Sequence, residues 1–258
     1  MSAFAATAVM DRSMMSTWSP RSGNAKSPYG LPLTSRCVSE ALRHNECDFS
    51  LSEQCLEELD CVSHAATYPT GALMFVEGQN SRGVYVLTQG RIKLTTTNRA
   101  GRTLIMKIVQ PGEILGLHET MRNAHYELTA ETLQPSQVAF IKSDDFLRML
   151  KRHPDACLQV TQQLSLQCES AYEMIRSIGL SYSVTEKLAR LILQWSKSSP
   201  TRDRVRLSLT HEEIAQLIGS TRETVTRILS DFKKNKVLEV AGSALLIRNK
   251  AALERLVS

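Results

Sequence analysis

Arg222, Glu223 and Arg227 lie within one six-residue stretch, and their side chains carry the chemistry that reads base edges in DNA. A guanidinium fork donates to both O6 and N7 of guanine, and a carboxylate accepts from the N4 amine of cytosine. For that, all three groups must stand near the leading end of a helix that enters the major groove, on the face its apolar residues leave free. The same residues also suit an ordinary solvated helix face, with Glu223 closing a capping box on Ser220. The surrounding elements decide between these readings.

Those elements are legible from Leu209 to Lys234. Ile214, Leu217 and Ile218 recur at helical spacing, Gly219 breaks the pattern, and Val225, Ile228, Leu229 and Phe232 form a second helical set. Thr210 with Glu213 three residues on has the capping-box form and predicts the start of the first helix. Ala215 is small enough for close helix approach, and Gly219 supplies a turn conformation that other residues resist. The pattern predicts a helix-turn-helix, with Arg222, Glu223 and Arg227 on the open side of its second helix.

The run Ile214-Ala-Gln-Leu-Ile-Gly-Ser-Thr-Arg-Glu-Thr-Val-Thr-Arg-Ile-Leu229 resembles the DNA-binding signature of the Crp/Fnr superfamily of bacterial transcription regulators. The resemblance extends from roughly Ser50 to the C-terminus. It implies that Arg222, Glu223 and Arg227 are the base-reading positions of the cyclic-AMP receptor protein branch; the fumarate-nitrate regulator branch lacks the first arginine. The implied half-site is TGTGA-like, and Thr210 falls where that branch holds a phosphate with a hydroxyl. Thr221 and Thr226 complete the expected DNA-contacting set. RNA polymerase is the further partner the family implies.

Charge placement agrees with a DNA partner. The formal net charge is +5, and residues 201–258 carry eleven Lys/Arg against seven Asp/Glu, so most of the excess sits in the C-terminal part. Phosphate contacts require such placement, whereas solubility alone does not.

The chain has six cysteines, Cys37, Cys47, Cys55, Cys61, Cys157 and Cys168. With no secretory leader and no apolar run long enough to span a bilayer, a cytoplasmic protein with reduced thiols is expected. The first four invite an iron–sulfur reading, but their spacings match no compact cluster motif. The oxygen-sensing branch places a fourth cysteine inside the sensor sheet, where this sequence has Ala139. These cysteines are left out of the site assignment, with the question of a redox or metal role for Cys37, Cys47, Cys55 and Cys61 open and the cofactor unknown.

Residues 1–34, rich in Ser, Ala, Pro and Met, are expected to be a disordered extension. Ser50 or Ser52 is expected to cap a short helix carrying Leu56 and Leu59. From Tyr68 to Ile141, short apolar runs (73–76, 84–87, 92–97, 104–109, 126–130 and 137–141) alternate with glycine turns and predict a strand-rich barrel or sandwich. Within the family this is the β-roll resembling a cyclic-nucleotide-binding domain. Nucleotide-binding members have a Gly-Glu-Leu turn followed, after a short helix, by Arg-Ser/Thr-Ala. Here Gly112, Glu113 and Thr129 match and are the candidate effector-pocket residues. Leu128 stands where the phosphate-binding arginine belongs, with Arg122 nearby as a substitute that spacing does not support. The effector is therefore expected to be something other than cyclic AMP.

Ser143 is expected to cap a helix through Lys151. A second helix, from Pro154 to about Ser177 or Leu180, carries an a/d seam of Cys157, Thr161, Leu164, Cys168, Ala171, Ile175 and Ile178, which predicts a homodimer. Ser183-Val-Thr-Glu186 caps a further helix, 204–209 alternates like a strand, and 237–247 reads as a hairpin wing about Gly242-Ser243.

The expected architecture is α+β: a helix plus β-roll sensor domain (35–153), a dimerisation helix and hinge (154–182), and a winged helix-turn-helix (183–258). The expected function is a dimeric, sequence-specific transcription regulator. The alternatives are a redox or oxygen sensor using an iron–sulfur cluster or thiols, or a metabolite-binding module with accessory DNA binding. No Gly-rich phosphate loop, nucleophile elbow, His-x-x-x-His or Cys-x-x-Cys points to an enzyme.

Overall fold

The structure, a computed structural model, describes residues 28–29, 31, 37–43, 51–179, 183–197, 204–206, 209–241 and 244–257. Most of the extension expected over residues 1–34 lies outside these, as do Cys47 and the Gly242-Ser243 tip. The chain opens with α1 (Cys37–Arg43) and α2 (Glu53–Val62). Ser52 caps α2 by accepting from the Cys55 N–H, and Cys55, Leu56 and Leu59 form its buried face. α1 was not anticipated from the sequence; at seven residues it is too short to display a helical period.

Eight strands follow: β1 (His64–Tyr68), β2 (Leu73–Phe75), β3 (Gly83–Gln89), β4 (Ile92–Thr97), β5 (Thr103–Val109), β6 (Ile114–Leu115), β7 (Thr129–Thr132) and β8 (Ser136–Lys142), with α3 (Leu117–Arg122) between β6 and β7. They form two antiparallel four-stranded sheets, ordered β1-β8-β3-β6 and β2-β7-β4-β5. Only the β4–β5 connection stays within one sheet; every other step crosses between them, which makes the pair a roll.

Phe75, Leu87, Ile92, Val109, Leu115 and Tyr126 are among the residues that fill the roll's interior. Phe75 stacks on Tyr126 with ring centroids 4.0 Å apart and lies 5.6 Å from Tyr85. Tyr126 also donates its hydroxyl to the Gly83 carbonyl at 3.0 Å. The strand expected at Tyr126 therefore begins later, at Thr129: the Tyr126 N–H and C=O are bonded to the Gln79 and Gly78 backbone, outside the β7 ladder.

After the roll come α4 (Ser143–Arg152) and α5 (Pro154–Gly179). Ser143 is the first residue of α4 and not its cap; Lys142 occupies the cap position and makes no side-chain bond there. Asp144 and Asp145 supply the negative charge that favours a helix start. α1, α2, α4 and the first half of α5 share one apolar core with the outer face of the β1-β8-β3-β6 sheet, centred on Leu56, Leu59, Val86, Ile141, Phe146 and Met149.

One residue of the expected α5 seam turns inward. Leu164 packs on this core from a half-buried position, whereas Leu158, Leu166, Tyr172 and Ile175 are exposed, the last at 63%. Cys157, Thr161, Cys168, Ala171 and Ile175 of the expected seam are also exposed, so the open face includes the seam and is widened by Leu158 and Tyr172. The burial of Ile178 lies outside the described side chains.

The C-terminal region comprises α6 (Val184–Lys197), β9 (Arg204–Arg206), α7 (His211–Ile218), α8 (Arg222–Lys234), β10 (Leu238–Ala241), β11 (Ala244–Ile247) and α9 (Lys250–Val257). β10 and β11 pair from Leu238↔Ile247 to Ala241↔Ala244, and β9 joins the far side of β11, giving a three-stranded wing. Leu188, Ile192, Ile214, Val225, Leu245 and Leu253 are at the centre of a third apolar core.

Candidate nucleic-acid interface

α7 and α8 are fixed by local chemistry before any tertiary contact. The Thr210–Glu213 capping box is complete: the Glu213 N–H donates to Thr210 Oγ1 at 3.2 Å, and the Thr210 N–H donates to Glu213 Oε2 at 2.8 Å. Gly219 ends α7 in the left-handed region (φ 67°, ψ 40°), and its N–H returns to the Ala215 carbonyl. Thr221, and not Ser220, then caps α8, its hydroxyl accepting from the Thr224 N–H at 3.3 Å. Glu223 accordingly stands at the second position of the helix and closes no box on Ser220.

Ile214, Ala215 and Ile218 of α7 meet Val225, Ile228 and Phe232 of α8, all buried. Burying a side chain of this size is worth about 1.5–3 kcal/mol, so the rotation of α8 is strongly determined. That rotation leaves Arg222, Glu223, Thr226 and Arg227 exposed on one face. Among the described residues neither guanidinium is held in an ion pair. Glu223 is fully exposed, yet its carboxyl is held below the usual range, first by a bond from its own backbone N–H at the helix start, then by the Thr221 hydroxyl and the Arg222 charge. It is thus ready as an anionic acceptor, as a cytosine amine requires.

The threonines are more committed than the arginines. Thr210 Oγ1 donates to Glu213 Oε2 at 3.0 Å, so a phosphate oxygen at this position competes with that carboxylate. Thr226 Oγ1 donates to the Arg222 carbonyl at 2.8 Å and lies 2.9 Å from His211 Nδ1. Thr221 and Thr210 serve as helix caps and both are exposed. His211, which no sequence signal singled out, is the first residue of α7 and reaches the exposed face of α8 through Thr226. Lys233, Lys234 and Lys236 are exposed at the far end of α8.

The roll holds the turn between these helices. Arg102 Nη2 donates to the Gly219 carbonyl at 2.5 Å, and Lys93 Nζ lies 3.8 Å from Glu213 Oε1 and 3.1 Å from Glu131 Oε1. Ile108 and Leu133 pack on the apolar core of the C-terminal region. This docking was invisible in the sequence, since it joins residues more than a hundred positions apart.

The candidate effector residues are occupied. Glu113 pairs with Lys107 at 2.8 Å and accepts from the Gln110 N–H, and the Gly112 N–H donates to the Leu87 carbonyl. Thr129 Oγ1 accepts from the Glu77 N–H at 3.1 Å. Arg122 lies on the exposed surface, 3.5 Å from Glu127 and 3.1 Å from His118. It is therefore not turned into the roll as a substitute phosphate ligand.

This site and fold can be set beside known proteins. Residues 65–153 match the cyclic nucleotide-binding domain and residues 186–256 the Crp-like helix-turn-helix domain. The global nitrogen regulator of Synechocystis sp. is 26% identical over 194 residues, spanning 73% of this chain and 86% of the relative. The fumarate and nitrate reduction regulatory protein of Yersinia pestis is 26% identical over 213 residues, 81% and 84% of the two chains. The solved structure of FixK2 from Bradyrhizobium japonicum superposes with a TM-score of 0.68 at 20% identity, covering 76% of this chain and 98% of that one. The chain belongs to the Crp/Fnr superfamily, whose members are transcription regulators and not enzymes. No helix among the described residues is long and apolar enough to cross a membrane.

Proposed function

We propose that this protein is a cytoplasmic, homodimeric regulator that binds a palindromic TGTGA-like DNA site, reading it with Arg222, Glu223 and Arg227. The observation that carries the reading is the exposure of these three side chains at the leading end of α8, with both guanidinium groups outside any ion pair among the described residues. Thr210, Thr221 and Thr226 lie beside them for backbone contacts. The open face of α5, with Leu158, Tyr172 and Ile175, supports a twofold partner, and a dimer of such helices matches a palindrome. RNA polymerase is the partner through which a regulator of this kind acts.

The roll senses a signal other than cyclic AMP. Leu128 offers no charge to a cyclic phosphate, Arg122 faces solvent, and the Phe75, Tyr85 and Tyr126 rings take up the interior. An effector acts by binding more tightly to the DNA-competent arrangement than to the other. The grip of Arg102 and Lys93 on α7 gives the roll a direct hold on the reading head.

Fluorescence anisotropy with a TGTGA-type palindrome and a scrambled duplex tests this reading. Specific binding is expected to exceed non-specific binding by about a thousandfold or more, with affinity falling as salt rises. Equal affinity for the two duplexes contradicts it.

A further inference from the structure

Far from the DNA-reading face, three potential metal ligands converge where α2 meets the junction of α4 and α5. Cys55 Sγ, a ring nitrogen of His153 and a carboxylate oxygen of Asp155 all lie within 4.8 Å of one another. Cys55 comes from α2, His153 is the residue that ends α4, and Asp155 sits in the first turn of α5. Nothing in the sequence suggests the grouping, because about a hundred residues separate the cysteine from the other two.

Each group is held by a neighbour. His153 Nε2 lies 2.9 Å from Glu58 Oε2, and Glu58 is kept below the usual carboxylate range chiefly by that bond. A carboxylate beside one ring nitrogen is the support that a metal-bound histidine commonly has. Asp155 Oδ2 accepts the Ser52 N–H at 2.6 Å, and the Ser52 side chain and the Ala156 N–H also bond to this carboxylate, which holds it in place.

Cys55 is fully buried, and its thiol lies 3.8 Å from Met149 Sδ, a weak acceptor. Burial, followed by the charges of Asp155 and Glu58, pushes that thiol up to about 12. Two carboxylates facing a buried thiol are unfavourable to a thiolate, and a divalent cation among them reverses that balance.

We propose that Cys55, His153 and Asp155 form a three-ligand site for a borderline-soft divalent transition ion of the zinc type, with a fourth position open to water. A sulfur, nitrogen and oxygen set suits such an ion and not calcium or magnesium, which take oxygen ligands. Metal–ligand bonds of about 2.0–2.3 Å at tetrahedral angles put the donor atoms about 3.5 Å apart, so donors spread over as much as 4.8 Å close in around the ion. His153 and Asp155 are half-buried and give the ion a path from solvent. Once bound, it ties the lead-in helix to the first turn of α5. The site is independent of the DNA-reading assignment, and neither depends on the other.

Cobalt(II) is the probe: the full-length protein, stripped with a chelator, is titrated with it and followed by absorption. The expected result is one equivalent bound, with tetrahedral visible bands and a thiolate-to-cobalt charge-transfer band. Cys55→Ser removes the charge-transfer band, whereas Cys61→Ser and Cys157→Ser leave it intact. Asp155→Asn, which still accepts from Ser52, and His153→Gln each weaken binding by about tenfold or more. No charge-transfer band in the wild-type protein, a band that survives Cys55→Ser, or affinity unchanged in both Asp155→Asn and His153→Gln overturns the site.

Discussion

The Arg102 guanidinium donates to the carbonyl of Gly219, the residue that ends α7 and turns the chain toward α8. The contact is exposed, so it contributes little to overall stability. Its importance is positional: it fixes the turn against the β4–β5 hairpin. Arg102→Ala is expected to raise amide exchange across 212–219 while leaving α4 unchanged, with a loss of under about 1 kcal/mol in global stability. Hydrogen-exchange mass spectrometry checks this; unchanged protection in α7 means the docking is not held there.

Gly219 is required for its backbone. An added Cβ meets Leu104 Cδ1 at 3.8 Å, an ordinary contact, so the cost of substitution lies in the positive φ of 67°. Gly219→Ala is expected to destabilise the C-terminal domain by about 1–2 kcal/mol, and Gly219→Asn by less, because asparagine tolerates this conformation. Chemical denaturation followed by Trp195 fluorescence distinguishes them; equal losses indicate a steric cause.

The open face of α5 gives a prediction about assembly. Ile175 is 63% exposed, so Ile175→Asp removes little packing within the chain. In a dimer joined along this face the same change buries a charge. Sedimentation is expected to show a folded monomer whose specific DNA affinity falls by at least about 2 kcal/mol. A variant that sediments as a dimer places the partner elsewhere.

Acid should release the clamp around Ser52. Asp155 is held below the usual carboxylate range, first by the Ser52 N–H, and Glu58 chiefly by His153. A group with a depressed folded value stabilises the protein above its unfolded value, and that contribution disappears as pH falls through the folded one. With a chelator present, the wild-type melting temperature is therefore expected to drop more steeply below about pH 4 than that of Asp155→Asn. Parallel curves contradict the assignment of the clamp to Asp155.

The helix-turn-helix was legible because its determinants are local. Thr210–Glu213 announces a cap, Gly219 a turn, and Val225, Ile228 and Phe232 a face, all within twenty-five residues. Most roll strands were legible for the same reason, through alternation bounded by glycine. β1 and β6 were missed: the first carries two alanines and faces solvent at His64 and Ala65, and the second is only two residues long. Ser143 and Ser220 look like caps by type, yet the chain enters each helix one residue away from them, a choice made by neighbouring contacts such as the Ser143 N–H to the Arg82 carbonyl. The Arg102–Gly219 and Cys55–His153–Asp155 relationships are products of the fold, with no periodicity to reveal them.

The central claim is that the side chains leading α8 choose the base pairs. Competition binding with four duplexes, differing at the one base pair assigned to Arg222 by wild-type selection, tests it most directly. The wild-type protein is expected to favour guanine by about 1–3 kcal/mol, and Arg222→Ala to bind all four alike while keeping its preferences at the other positions. If Arg222→Ala retains the full preference for guanine, the assigned reading face is wrong.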